Sequence, residues 1–197
     1  MKKILLLSII SLSFGTLFAQ SSTYWQQHVD YKMDVVMNVK NYQYKGKQEL
    51  VYSNNSSDTL KRVYYHLYNN AFQPGSEMDA RLQTIKDPDG RMVNKANESR
   101  IKTLKPDEIG YLNVSNFKQD GVVANAKTVG TILEVTLAKP ILPHSKTTFS
   151  LDFDGQVPVQ IRRSGRNNVE GIELSMAQWY PKMAEFDFEG WHADPYI

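Results

Sequence analysis

Cysteine is absent from the 197 residues. That absence removes disulfides, thiol nucleophiles and thiolate metal sites together, and with them the cysteine that a lipid-anchored export protein carries just after its cleavage point. No HExxH motif occurs, and the four histidines, His28, His66, His144 and His192, stand too far apart for two of them to ligate a metal from one element. The expected metal ligands and catalytic residues of this chain are therefore none. Charge of either sign is in short supply, with 23 Lys+Arg against 21 Asp+Glu. Two of the lysines, Lys2 and Lys3, belong to the extreme N-terminus, and without them the two signs balance at 21 each. A nucleic-acid partner is not expected on that ground. Long apolar runs are missing too: the one within residues 4–12 falls short of the ~20 residues that span a bilayer as an anchor.

What is present begins with MKKILLLSIISLSFGTLFAQ, which orders basic, apolar and small-residue segments as a bacterial secretory signal peptide does. Residues 1–19 are read as that signal, cleaved after Ala19, and the mature chain is expected to be secreted or periplasmic without a membrane anchor. The rest has 41% apolar and 22% charged residues over the whole chain, ordinary values for a globular protein, and is read as one domain over residues 24–197.

The dominant period in that domain is two. Met33, Val35 and Met37 alternate with polar residues; a second strand is expected over 47–52, before the turn Asn54-Asn55-Ser56-Ser57. In VYYHLYNN, Val63, Tyr65 and Leu67 share one face and Tyr64, His66 and Tyr68 the other. Further strands are expected over 111–117, in TILEVTL with Leu133, Val135 and Leu137 on one face, and in TTFSLDF with Phe149, Leu151 and Phe153 on one face. Between them runs a polar excursion, residues 73–108. There SEMDARLQTI reads as a short helix capped by Ser76 with Met78, Leu82 and Ile85 on one side, and Asp87-Pro88-Asp89-Gly90 as a turn. About seven short strands with polar turns predict an all-β fold, an antiparallel sandwich or saddle with one or two short helices in a long loop.

Chemistry-bearing residues are sparse. His66 alternates on a strand as a packed histidine would, and His192 stands beside Asp194 as a turn held by hydrogen bonds would, although that pair could also titrate. RRSGRNN, residues 162–168, has the arginines to cradle an anion but not the strand-to-helix context of a phosphate loop, and reads as a hairpin tip. Asn-x-Ser occurs at Asn54, Asn55, Asn97 and Asn113, which places surface loops. Carboxylates gather at Glu170, Glu173, Glu185, Asp187, Glu189 and Asp194, an acidic rim that could also serve glycoside chemistry or a carbohydrate-binding face.

The last stretch, MAQWYPKMAEFDFEGWHADPYI, crowds two tryptophans, two tyrosines and two phenylalanines where a terminal tail is normally polar. Together with YKGKQELVYSNNSSDTLKRVYYHLYNNAF and VTLAKPILPHSKTTFSLDFDGQVP, in that order, it resembles the N-terminal domain of the aminopeptidase N-like zinc peptidases in their exported, Bacteroidetes-type form. The resemblance covers nearly everything after the signal segment. It implies a saddle-shaped β-sandwich packed on a thermolysin-like catalytic domain that carries the zinc, the HExxH helix and a Met-Glu-Asn exopeptidase motif, none of them in this sequence. It further implies that Glu170, or Glu173, helps hold the substrate's free amino terminus, where this chain reads VEGIELS against the family's Gln-x-Glu/Gln. The catalytic domain of the same polypeptide and a peptide substrate are the implied partners, zinc the cofactor of the parent, and Trp179, Tyr180, Trp191 and Tyr196 the interdomain surface. On this reading the chain is a fragment ending at the crossing into the catalytic domain. The alternative is a stand-alone secreted β-sandwich that binds glycan or protein through the same aromatics.

Overall fold

The computed structural model describes residues 24–85, 90–162 and 164–197. The expected signal segment and most of the turn at 87–90 lie outside the described residues. Two long strands open the fold, β1 (His28–Asn38) and β2 (Gln43–Asn54), paired from His28 opposite Ser53 to Asn38 opposite Gln43. After the turn at 55–59 comes β3 (Leu60–His66), then a 3-10 turn (Tyr68–Ala71) and the helix α1 (Glu77–Thr84). Beyond the long excursion follow β4 (Tyr111–Gln119), β5 (Val122–Val123), β6 (Asn125–Val129), β7 (Ile132–Ile141) and β8 (Ser145–Gln156). The C-terminal part is a set of very short strands: β9 (Gly165–Arg166), β10 (Leu174–Ser175), β11 (Lys182–Met183), β12 (Glu185–Asp187) and β13 (Gly190–His192).

One sheet orders as β1-β2-β8-β4-β5 and the other as β11-β3-β7-β6, with β9–β10 and β12–β13 as separate two-stranded ribbons. All these strand pairings are antiparallel, and the fold is an all-β sandwich. The core lies between the two sheets. Val63 and Tyr65 of β3 and Leu133 and Val135 of β7 meet Leu50 and Tyr52 of β2 and Phe149, Leu151 and Phe153 of β8, all buried. Burial of each such side chain contributes about 1.5–3 kcal/mol relative to exposure. The period of two therefore reports the sheet faces correctly. β4 departs from it at a bulge, where Ser115 faces Asp152 but Lys118 already faces Ser150. Asn116 supplies the extra residue at a positive φ of 54°, which asparagine tolerates, and donates from Nδ2 to Asp152 Oδ2 at 2.7 Å.

The excursion at 73–108 builds a second, smaller core. Met78 and Leu82 of α1 pack with Ala71, Phe72, Met92, Ile101 and Ile161. Ser76 caps the helix as expected, its Oγ accepting from Asp79 N at 3.1 Å. Ile85 differs from expectation: it is the C-cap in extended conformation, and its side chain is exposed rather than joined to Met78 and Leu82.

Two glycines in the first sheet are fixed by close approach. Gly155 stands opposite Tyr44 and Gly46 opposite Phe153, and a Cβ at either would lie 2.4 or 2.3 Å from the facing ring. The two rings lie over the glycines and over each other's strand, edge to face at 6.3 Å. They form the platform for the C-terminal segment. Trp179 packs edge-on to Tyr44 at 5.6 Å, the Tyr44 hydroxyl donates to the Trp179 carbonyl at 2.6 Å, and Gln48 Nε2 donates to the Pro181 carbonyl at 2.9 Å.

Candidate functional site

The C-terminal segment leads into a recess of about 560 Å³. Its walls come from five places in the chain: residues 24–29, Tyr52 of β2, His66 and Tyr68 at the end of β3, residues 182–188, and His192 of β13. Pairing Lys182 and Met183 with His66 and Tyr65 brings this segment to the edge of the second sheet. Stacked aromatics line the site. Trp25 stacks on Phe186 at 5.7 Å, Phe186 leans on Trp191 at 5.1 Å, and Trp191 stacks on Tyr52 at 6.3 Å. Charge enters through Lys182, Glu185, Asp187 and His192. Phe188 at the hairpin tip is 85% exposed.

Two buried polar atoms in the walls lack partners. The Tyr52 hydroxyl has none, and burial pushes that phenol well above its ordinary range, so it is a neutral donor. His66 Nε2 lies 3.1 Å from the His192 carbonyl. A carbonyl only accepts, so Nε2 carries the proton and Nδ1, buried without a partner, presents its lone pair. Burial holds the His66 pKa below the usual histidine value, with Lys182 also lowering it and the His192 carbonyl and Asp194 opposing. His192 is shifted the other way. Its Nε2 is 2.8 Å from Asp187 Oδ2, and this contact, with Glu185 and Glu189 nearby, raises it. Asp187 is lowered, first by the Glu189 backbone amide and then by His192.

The two histidines give pH dependences of opposite sign. A lowered folded pKa means the unfolded chain binds the proton first, so the stability His66 contributes is complete above about pH 6.5 and falls as pH drops through that value. His192 contributes stability that is complete below about pH 6.5 and is lost as pH rises through its raised folded value. Relative to wild type, His66→Gln is expected to be less sensitive to acid, and His192→Gln less sensitive to alkali, when urea midpoints are compared across the range. Parallel pH profiles for wild type and both variants would show that neither imidazole is coupled to folding.

The sequence-derived residues fall in several places. Glu170 and Glu173 are exposed in the loop between β9 and β10, where Asn168 Oδ1 accepts from Glu170 N and Ile172 N at 3.1 and 2.8 Å. Neither lines the recess. Trp179, Tyr180, Trp191 and Tyr196 are each half-buried. Trp179 and Tyr180 touch each other at 5.4 Å, and Tyr180 leans on Tyr31. Trp191 belongs to the recess, while Tyr196 packs on Tyr68 and Phe72 beside the second core. The arginines of 162–168 turn to rings: Arg162 over Tyr196 at 5.4 Å, and Arg166 over Tyr42 at 4.1 Å with its NH2 donating to the Asp107 carbonyl. Asp187 and Glu189, read only as rim carboxylates, instead converge with His192. One ligand atom from each lies within 4.8 Å of the others. The zinc set implied by the resemblance does not fit here, because α1 (EMDARLQT) carries no histidine and the sequence no HExxH.

No protein-family model and no curated protein matches the sequence. Among solved structures, the M1 zinc metallopeptidase of Deinococcus radiodurans is similar at a TM-score of 0.46 and 16% identity, over 78% of this chain and 26% of that one. A point mutant of that enzyme bound to Tyr-Ser-Ala gives a TM-score of 0.46 and 16% identity over 79% and 27%. The chain thus spans about a quarter of the length of the solved structures it matches. A likeness at this level assigns no residue and no activity.

Proposed function

We propose that this chain is the non-catalytic N-terminal β domain of a secreted, zinc-dependent aminopeptidase, packing on a catalytic domain and shaping substrate access. The observation that carries the reading is the order of three family-like segments along one β-sandwich, the last of them being the aromatic stretch 176–197. In the parent, zinc would polarise the scissile carbonyl and activate water; its ligands are not among the residues of this chain. The half-buried Trp179, Tyr180, Trp191 and Tyr196 would complete their burial against that domain. A stand-alone module for glycan or protein is the second reading, favoured by the aromatic recess with its acidic rim.

The genomic reading frame decides between them. It is expected to run on through Ile197 into an HExxH helix, and the longer product is expected to cleave aminoacyl substrates in a chelator-sensitive way after export with cleavage at Ala19. A stop codon after Ile197 would leave the binding module as the reading. Within the longer enzyme, Glu170→Ala, or Glu173→Ala if Glu170 is silent, is expected to raise KM or lower kcat for peptides with free amino termini, since a carboxylate opposite an ammonium is a charge-assisted contact. Unchanged kinetics in both variants would remove these residues from the substrate site.

A further inference from the structure

The β12–β13 hairpin holds Asp187, Glu189 and His192 in a fixed relation. Phe186 faces Trp191 and Asp187 faces Gly190, whose φ of 104° gives the turn a conformation that side chains rarely adopt. Asp187 Oδ1 accepts from Glu189 N at 2.8 Å, which leaves Oδ2 turned to His192 Nε2 at 2.8 Å. That contact is close but undirected: Nε2 is screened from water and makes no formed hydrogen bond. Glu185, opposite His192 across the ribbon, adds a third carboxylate. Among the described residues no lysine or arginine ion-pairs with Asp187 or Glu189.

An independent observation points to an occupant. Asp187 and His192 line the recess, and so does Tyr52, a side chain only 1% exposed whose hydroxyl has no acceptor. A water or small ligand carried into the recess would give that donor a partner.

We infer that the hairpin binds one divalent cation of the zinc type through Asp187, Glu189 and His192, with the open coordination position facing the recess. The donor set selects the metal. One imidazole and two carboxylates suit zinc better than calcium or magnesium, which take oxygen alone, and the absence of thiolate disfavours softer ions. Little rearrangement is needed: the 2.8 Å contact widens and the longer separations contract as each atom reaches about 2.0–2.2 Å from the metal. No general base accompanies the trio, so the site binds without turning over substrate. It is distinct from an HExxH centre and does not depend on the proposed parent enzyme.

Titration of the chelator-treated full chain with Zn²⁺ in a calorimeter is expected to show uptake of one equivalent. His192→Ala and Glu189→Gln are each expected to weaken that uptake at least about tenfold. Glu189 is exposed at the turn, so its variant should keep the wild-type circular dichroism spectrum and remain a fair test. His28→Ala removes the other histidine–carboxylate contact, His28 Nε2 to Asp30 Oδ1 at 3.1 Å, and is expected to leave uptake unchanged. Mg²⁺ and Ca²⁺ in large excess should not displace the zinc. The inference is overturned by absence of uptake, by uptake that survives both hairpin variants, by loss of uptake in His28→Ala, or by ready displacement with Ca²⁺, which would mark a diffuse acidic surface.

Discussion

Gly155→Val is expected to destabilise the domain by about 3 kcal/mol, the upper part of the usual overpacking range, and to lower its melting temperature by roughly 6–12 °C. The new side chain would start 2.4 Å from the Tyr44 ring. Tyr44 has nowhere to go. It is buried, its hydroxyl donates to the Trp179 carbonyl at 2.6 Å and accepts from Asn69 Nδ2 at 3.0 Å, and its ring is flanked by Phe153 and Trp179. Gly155→Ala should cost less but act through the same contact, so Tyr44→Ala with Gly155→Ala is expected to be less destabilising than the sum of the two singles. Strict additivity, or a Gly155→Val melting temperature equal to wild type, would show that the ring does not constrain this strand.

That pairing marks where the sequence stopped being informative. Alternation in TTFSLDF and TILEVTL reads out the buried faces of β8 and β7 because both strands bury one face along much of their length, and the Ser76 cap is legible because the bond it makes is local. The register that puts Gly155 under Tyr44 is a long-range choice and leaves no periodic trace. The strands β9 to β13 are two or three residues long, and pairs such as Lys182 with His66 are created by tertiary contact rather than propensity.

The recess was illegible for the same reason. Trp25 and Phe186, or His66 and His192, are neighbours only after folding. For His192 the sequence drew attention to the adjacent Asp194, while the fold supplies Asp187 from across a tight turn. The signal for that was present in Asp187-Phe188-Glu189-Gly190, acidic residues with a glycine at the position of positive φ, a hairpin signature that brings flanking side chains together. Reading the turn before the histidines would have found the trio.

The segment that carries half of the recess is clasped to the first sheet by side chains, and removing two of the clasps is expected to release it locally. Tyr44 donates to the Trp179 carbonyl, Gln48, 2% exposed, donates to the Pro181 carbonyl, and Tyr31 accepts from Met183 N at 2.8 Å. Each buried carbonyl left without its donor costs about 1–3 kcal/mol. Tyr44→Phe with Gln48→Leu therefore removes about 2–6 kcal/mol from the docked segment while keeping the apolar volume near native. Residues 179–192 make few long pairings of their own, so this loss should appear as local opening before global unfolding. Amide exchange is the measurement. Ala184 N, bonded to the Tyr64 carbonyl at 2.8 Å, should exchange much faster in the double variant, while amides in the middle of β8, paired on both sides by β2 and β4, keep more of their protection. Equal acceleration at Ala184 and in β8 would mean that the segment is an integral part of the sandwich and opens only with it.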